Sequence, residues 1–204
     1  MTDAALDKAE ITLDALLALG SDARVEVIDG DMVDMPAAGI VHHLVGGNIF
    51  RVIDPHVRET VLGIAFFDGL TYLMNNVGQG LKDSFVPDIS YIRAENIPND
   101  LAPHKPYPGV PDLAIEIISP GDDAEIVNRK VRTYLAKGTA QVWLGYPASR
   151  ELHQYRRDLE PDVVRIYRRD DEIIDAESRL PGLQLDVTTI FALPPWAQKA
   201  GTDS

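Results

Sequence analysis

Three carboxylates and one lysine could do chemistry together, and two of the four, Glu116 and Lys130, stand where charged side chains are uncommon. Glu116 interrupts Leu113–Ile118, a run that is otherwise apolar and rich in isoleucine. Such a run reads as a central strand buried on both faces. An unpaired carboxylate inside it is costly, so Glu116 either pairs with a basic side chain or faces a pocket and binds a metal. Asp88 lies near the start of a second strand, Phe85–Ile92, and Glu26 lies in a third, Val25–Ile28. On alternation alone, Glu26 reads as an exposed strand residue. Lys130 follows Glu116 by fourteen residues, on a helix that starts at Asp122 or Asp123 and runs to Lys137. At about 100° per residue it falls inside the apolar arc, between Ile126 and Tyr134. It either snorkels outward along its stem or points at the acidic strands.

Clustered carboxylates bind a hard cation such as Mg²⁺. Such an ion polarises a phosphoryl oxygen and lowers the pKa of a bound water. A lysine beside it can orient that water or stabilise charge on phosphorus. That combination is the chemistry of phosphodiester hydrolysis.

These groups must be positioned by the rest of the chain. Thr12 can N-cap a short helix with Leu13, Leu16 and Leu17 on one face, ended by Gly20-Ser21. Val25–Ile28 and Asp31–Met35 flank Asp29-Gly30, a strong hairpin-turn signal. Helical spacing predicts one amphipathic helix over Ile40–Pro55, ended by Asp54-Pro55, with His42 and His43 in its first turn. Leu62–Phe67 and Leu70–Met74 read as strands about the turn Asp68-Gly69, followed by a polar loop, Asn75–Gly80. Glu95–Gly109 holds four prolines and reads as a long loop of the kind that borders a site. Gln141–Gly145, Glu151–Tyr155, Val163–Arg168 and the alternating Leu183, Leu185 and Val187 complete a strand-rich second half. The pattern is α/β with a mixed sheet.

Composition narrows the function. The 204 residues suffice for one sizeable core. There is no cysteine, which excludes disulfides, thiolate metal sites and cysteine nucleophiles. No apolar run reaches the length of a membrane span, and Met1–Glu10 lacks the apolar core of a signal peptide, so a cytoplasmic protein is expected. The net charge of −13 opposes indiscriminate nucleic-acid binding by the whole surface. The charge is uneven: between Arg129 and Arg169, ten Lys/Arg face four Asp/Glu. The bland account of these arginines is solvated strand and turn residues. The sharper one is a basic face beside an acidic site.

The ordered motifs resemble the Uma2 family of predicted endonucleases, within the PD-(D/E)XK or restriction-endonuclease-like superfamily. The resemblance spans about Thr12 to Phe191. It rests on Val25–Gly30, His43 at the head of the long helix, Val86-Pro87-Asp88-Ile89 and Pro111–Pro120. Arg129-Lys130 with Tyr134, Gly138, Trp143 and Leu180-Pro181-Gly182 complete it. The resemblance implies a restriction-endonuclease-like mixed β-sheet flanked by helices, with additional antiparallel strands. It implies one domain over 12–191, between tails 1–11 and 192–204. Asp88 would be the first acid of the superfamily motif and Glu116 the second. Ile118 stands where the superfamily usually has lysine, and Lys130 would replace it. Glu26 would be an additional catalytic acid, and Asp112 a structural one. A Mg²⁺ or Mn²⁺ ion would be held at Asp88, Glu116 and Ile117. The implied protein is a homodimeric hydrolase of nucleic acid, DNA first, with no membrane association. Two alternatives stand beside it: an inactive module of the same fold that binds DNA or a protein, and a glycoside hydrolase with a carboxylate pair. The second leaves Lys130 unexplained.

Overall fold

The computed structural model describes residues 10–20, 23–77, 80–159 and 163–198. Most of the expected N-terminal tail, and residues 199–204 of the C-terminal one, lie outside them. Helix α1 (Leu13–Ala18) begins as its sequence demands, with the Thr12 hydroxyl accepting the Ala15 N–H. Strands β1 (Val25–Ile28) and β2 (Asp31–Asp34) then pair antiparallel. Asp29 and Gly30 both take positive φ between them, the twist that a two-residue hairpin turn requires.

Helix α2 runs over Ile40–Glu59, four residues beyond the expected end, with Pro55 inside it. Proline forfeits one backbone bond there, but the last turn buries Val57 completely, and that packing carries the helix past Pro55. Next come β3 (Gly63–Phe67), β4 (Tyr72–Val77), β5 (Gly80–Phe85) and β6 (Ile89–Arg93). The expected strand Phe85–Ile92 is thus broken at Val86-Pro87-Asp88. The break is a crossing: β5 belongs to a four-stranded sheet ordered β2-β1-β5-β4, and β6 to a six-stranded sheet. The Asp68-Gly69 turn likewise separates strands of different sheets.

Strand β7 (Leu113–Ile117) pairs antiparallel with β6 and parallel with β8 (Gln141–Tyr146). Helix α3 (Ala124–Lys137) makes the crossover. Its ends follow the sequence: Asp123 caps the Glu125 and Ile126 N–H groups, and Gly138 closes it with φ 123°. Strands β9 (Glu151–Arg156) and β10 (Val164–Tyr167) extend the sheet antiparallel, giving the order β10-β9-β8-β7-β6-β3. Leu183–Val187 forms no strand. Leu185 and Val187 are buried in an irregular segment tied to Ile174 and Glu172, and α4 (Val187–Ile190) begins there. A final turn, α5 (Pro195–Gln198), falls within the expected C-terminal tail, and its Ala197 is buried.

Parity along β7 sorts the core into two layers. Leu113, Ile115 and Ile117 face α2, with Val45, Ile49, Ile53 and Val57. Ala114 and Glu116 face the opposite way, toward α3 and the four-stranded sheet, where Val131, Tyr134, Phe85 and Tyr72 pack. The six-stranded sheet is therefore covered on both sides, as its continuous apolar strands require. The long loop after β6 packs on β4, where the Tyr107 carbonyl accepts the Leu73 N–H. Tyr107 itself is buried away from the acids. The architecture is α/β and restriction-endonuclease-like, a mixed sheet flanked by helices with additional antiparallel strands.

Candidate active site

The residue pairing of β6 and β7 places the first two acids. Ile89 lies opposite Ile115, so one step outward sets Asp88 opposite Glu116. Directly opposed residues of antiparallel strands project to the same face. Asp88 is fixed by its own backbone partner: its Oδ2 accepts the Ile117 N–H at 2.7 Å. Its Oδ1 lies 2.9 Å from His42 Nε2. Asp112, the other Pro-Asp acid, accepts from the Arg93 N–H and the Asn96 amide, and it holds the loop after β6.

Glu26 comes from the other sheet. Its strand is covered on both faces, so the expected exposure is wrong: Glu26 is 4% exposed. Alternation signals exposure only when one face of a strand meets water, and here α3 lies over that face. Glu26 Oε1 accepts the Val86 N–H at 2.8 Å, just where the chain leaves β5 for β6. Lys130 links the two sheets. Its Nζ lies 2.9 Å from Glu26 Oε1 and 2.8 Å from Glu116 Oε1. The amine stands over the Phe85 ring, 5.6 Å from its centroid. Tyr134, one turn later on α3, donates its hydroxyl to Glu116 Oε1 at 3.1 Å.

Charge is unevenly compensated here. Burial opposes the Lys130 ammonium, but Glu116 and Glu26 outweigh it and raise its pKa, so the amine stays charged. Burial pushes Glu116 up to about 8. Lys130 opposes that shift, and Asp88 and Glu26 reinforce it. One lysine shared between two carboxylates leaves Glu116 short of positive charge. His42 supplies part of it. Burial works against its charge, but the bond to Asp88 prevails and raises its pKa above 6.5. Its Nδ1 is buried without a partner among the described residues.

His42 was hidden in the sequence by its neighbour. His43, which carried the resemblance, is exposed, and His42 is the one that reaches Asp88. The helical period held the signal: His42 shares a stripe with Gly46, Ile49 and Ile53, and His43 lies about 100° away. Gly46 lets α2 approach the sheet closely, since a Cβ there would lie 3.3 Å from Phe67 and 3.6 Å from Ile117 and Ile89. One turn earlier, that approach lowers His42 onto Asp88.

Glu26, His42, Asp88, Glu116, Lys130 and Tyr134 all line one cavity of about 500 Å³ between the two sheets, α3 and the segment Asp34–Ala38. The exposed Arg24 stands at its rim, and Asp122, whose carboxylate accepts the Ser119 N–H, closes the end below α3. No residue of the loop Glu95–Gly109 lines it. Among the described residues, no three Asp, Glu or His side chains are disposed to hold one ion. The oxygen donors on one wall are the two carboxylates Asp88 and Glu116. Beside them is the Ile117 carbonyl, which leaves β7 on the same edge as the N–H bound by Asp88.

Comparison with known proteins relates the chain to a family and to solved structures. Residues 12–188 match the model of a family, Uma2, described as "Putative restriction endonuclease". The fold is similar to a solved structure described as a "putative nuclease belonging to DUF820" from Anabaena variabilis. The TM-score is 0.75 at 25% sequence identity, over 89% of this chain and 97% of the other. No curated protein matches the chain. No helix among the described residues is long and apolar enough to cross a membrane.

Proposed function

The chain belongs to the Uma2 family, and from that premise we propose that it is a divalent-metal-dependent endonuclease, with Mg²⁺ or Mn²⁺ as cofactor and DNA as first substrate. One observation carries this reading: a charged lysine amine from α3 lies between two buried carboxylates from different sheets, with a third acid beside them in the same cavity. A hard divalent cation suits the donors on the cavity wall, which are all oxygens. Asp88, Glu116 and the Ile117 carbonyl would hold it. When bound, such an ion activates a water and draws charge from the phosphate.

The remaining steps belong to the chain's own groups. Lys130 keeps its proton, so it acts as a hydrogen-bond donor and fixed positive charge, toward the attacking water or a phosphate oxygen. Glu26 aims that amine, being itself fixed by the Val86 N–H. His42 and the Ile117 N–H hold the Asp88 carboxylate in one orientation. Tyr134, whose pKa burial raises well above 10, remains a neutral donor and fixes Glu116.

The test joins binding to turnover. Millimolar Mg²⁺ or Mn²⁺ is expected to raise the melting temperature by mass action, and Asp88→Asn to lose most of that increment. The wild type is expected to cleave at least one member of a panel of single- and double-stranded DNA and RNA. Metal-dependent stabilisation without any cleavage would favour the inactive binding module. The absence of both would remove the metal-site reading.

A further inference from the structure

A second concavity lies along another face of α3, against the β1–β2 turn and β5. One wall is a stripe of that helix: Arg129, Arg132, Thr133, Ala136 and Lys137, at the i, i+3, i+4, i+7, i+8 spacing of one face. The other wall is the β1–β2 turn and the start of β5, with Asp29, Lys82 and Asp83. Four cations thus face two carboxylates, on a chain of net charge −13. The carboxylates are engaged: Asp29 pairs with Lys82 at 3.0 Å, and Asp83 accepts the Asp29 N–H.

The three cations of α3 differ from four of the six arginines that follow them up to Arg169. Arg150, Arg156, Arg165 and Arg169 each sit on a carboxylate, Asp170, Asp158, Asp175 and Glu172. The bland account therefore holds for them. Arg129, Arg132 and Lys137 are exposed and form no ion pair among the described residues. Uncompensated like charges on one helix face repel and are disfavoured unless an anion serves them. Arg129 is also the sequence neighbour of Lys130, so one helix presents a basic face outward and the site lysine inward.

We propose that this groove binds the phosphate backbone of the nucleic acid on one side of the bond to be cut, through Arg129, Arg132 and Lys137. The inference rests on the nuclease reading and names where that substrate lies. Arg129 to Lys137 spans about 12 Å of helix axis. At about 3.4 Å of duplex axis per phosphate of one strand, that covers about three phosphates. Arginine suits the task because its planar fork meets two phosphate oxygens at once. The binding carries no sequence preference, since phosphate contacts position a strand without reading it.

The experiment measures binding of a short labelled DNA duplex, the matching single strand and the same sequence as RNA, by anisotropy without divalent metal, between about 50 and 200 mM salt. The variant is R129A/R132A/K137A. A control triple, R165A/R168A/R169A, removes the same charge from the other end of the basic region. All six side chains are exposed, so both triples are expected to melt with the wild type. The slope of log affinity against log salt is expected to fall by about 2–3 in the α3 triple, at about 0.9 per phosphate for duplex and 0.7 for single strand. The control is expected to change it by less than about 1. In cleavage, the α3 triple is expected to raise KM and keep kcat. Equal slopes in both triples would reduce the effect to overall charge and overturn the proposal. A wild type that cleaves, with an α3 triple that binds and cleaves as well, would overturn the groove and leave the nuclease reading intact. A wild type that binds none of the probes and cleaves nothing would overturn both.

Discussion

Two clusters of buried polar side chains on the six-stranded sheet differ in kind. Between β8, β9 and β10 the groups are neutral. Gln141 Oε1 accepts from Trp143 Nε1 at 2.9 Å and from Gln154 Nε2 at 3.0 Å. Gln154 Oε1 accepts the Tyr167 hydroxyl, and that hydroxyl accepts the Asp175 N–H. The amides also reach Ser178 Oγ and the Asp175 carbonyl, which binds the C-terminal segment to the sheet. At the β6–β7 side the groups are charged, and the sums do not close: Glu26 and Glu116 share one lysine, Asp88 pairs with His42, and His42 Nδ1 has no partner among the described residues. A saturated neutral network holds structure, and its capacity is used up within the fold. An unsaturated charged one keeps capacity for a ligand and lowers the stability of the protein that carries it.

Breaking each cluster separates the two roles. The largest effect is expected from Lys130→Met, which leaves Glu26 and Glu116 buried with no cation between them. Removing one partner of a buried pair costs about 3–5 kcal/mol, so urea denaturation should show a loss of that order, partly restored by Mg²⁺. Cleavage should fall by at least about 100-fold. An unchanged denaturation midpoint would mean that the lysine compensates nothing. Gln154→Leu comes next. It strands the Tyr167 hydroxyl proton and the Asp175 carbonyl, at about 1–3 kcal/mol, and metal-induced stabilisation and cleavage should both survive it. Loss of either would join the two clusters into one unit.

The smallest effect is a slope. The folded pKa of Glu116, about 8, lies above its ordinary value of 4.5. The folded state therefore holds a proton that the unfolded chain has released, and stability falls as pH rises through that window, by at most about 1.4 kcal/mol per pH unit. His42 acts in the same sense: its contribution is complete below 6.5 and is lost as pH rises through its raised folded value. Without divalent metal, Glu116→Gln should flatten the fall between about pH 6.5 and 7.5. If stability in the variant falls as steeply as in the wild type, His42 alone sets the dependence.

The sequence disclosed the parts of the site that break a local rule. A charge in an apolar strand marked Glu116, and a charge on an apolar arc marked Lys130. Both lie in the cavity, 2.8 Å apart. The β1–β2 hairpin and both ends of α3 were legible because Asp29-Gly30, Asp123 and Gly138 have local reasons to be where they are. What failed depends on tertiary context. The burial of Glu26 follows from α3 lying over its strand, which no period within Val25–Ile28 records. The break at Val86-Pro87-Asp88 follows from the pairing partners of β5 and β6. Pro55 and Leu183–Val187 were misread because buried packing overrode a local stop in one case and a local alternation in the other.

The ion pair between Glu26 and Lys130 joins positions 104 residues apart. Closing so long a loop carries an entropic cost that the contact recovers only at the end of folding. During synthesis, a chain that stops short of α3 holds all three acids and no lysine to join the sheets. At about 5–20 residues per second, the ribosome therefore delivers the last member of the quartet several seconds after the first. A fragment that ends before Lys130 cannot assemble the quartet, so the order of residues along the gene keeps chains that short from carrying a complete site.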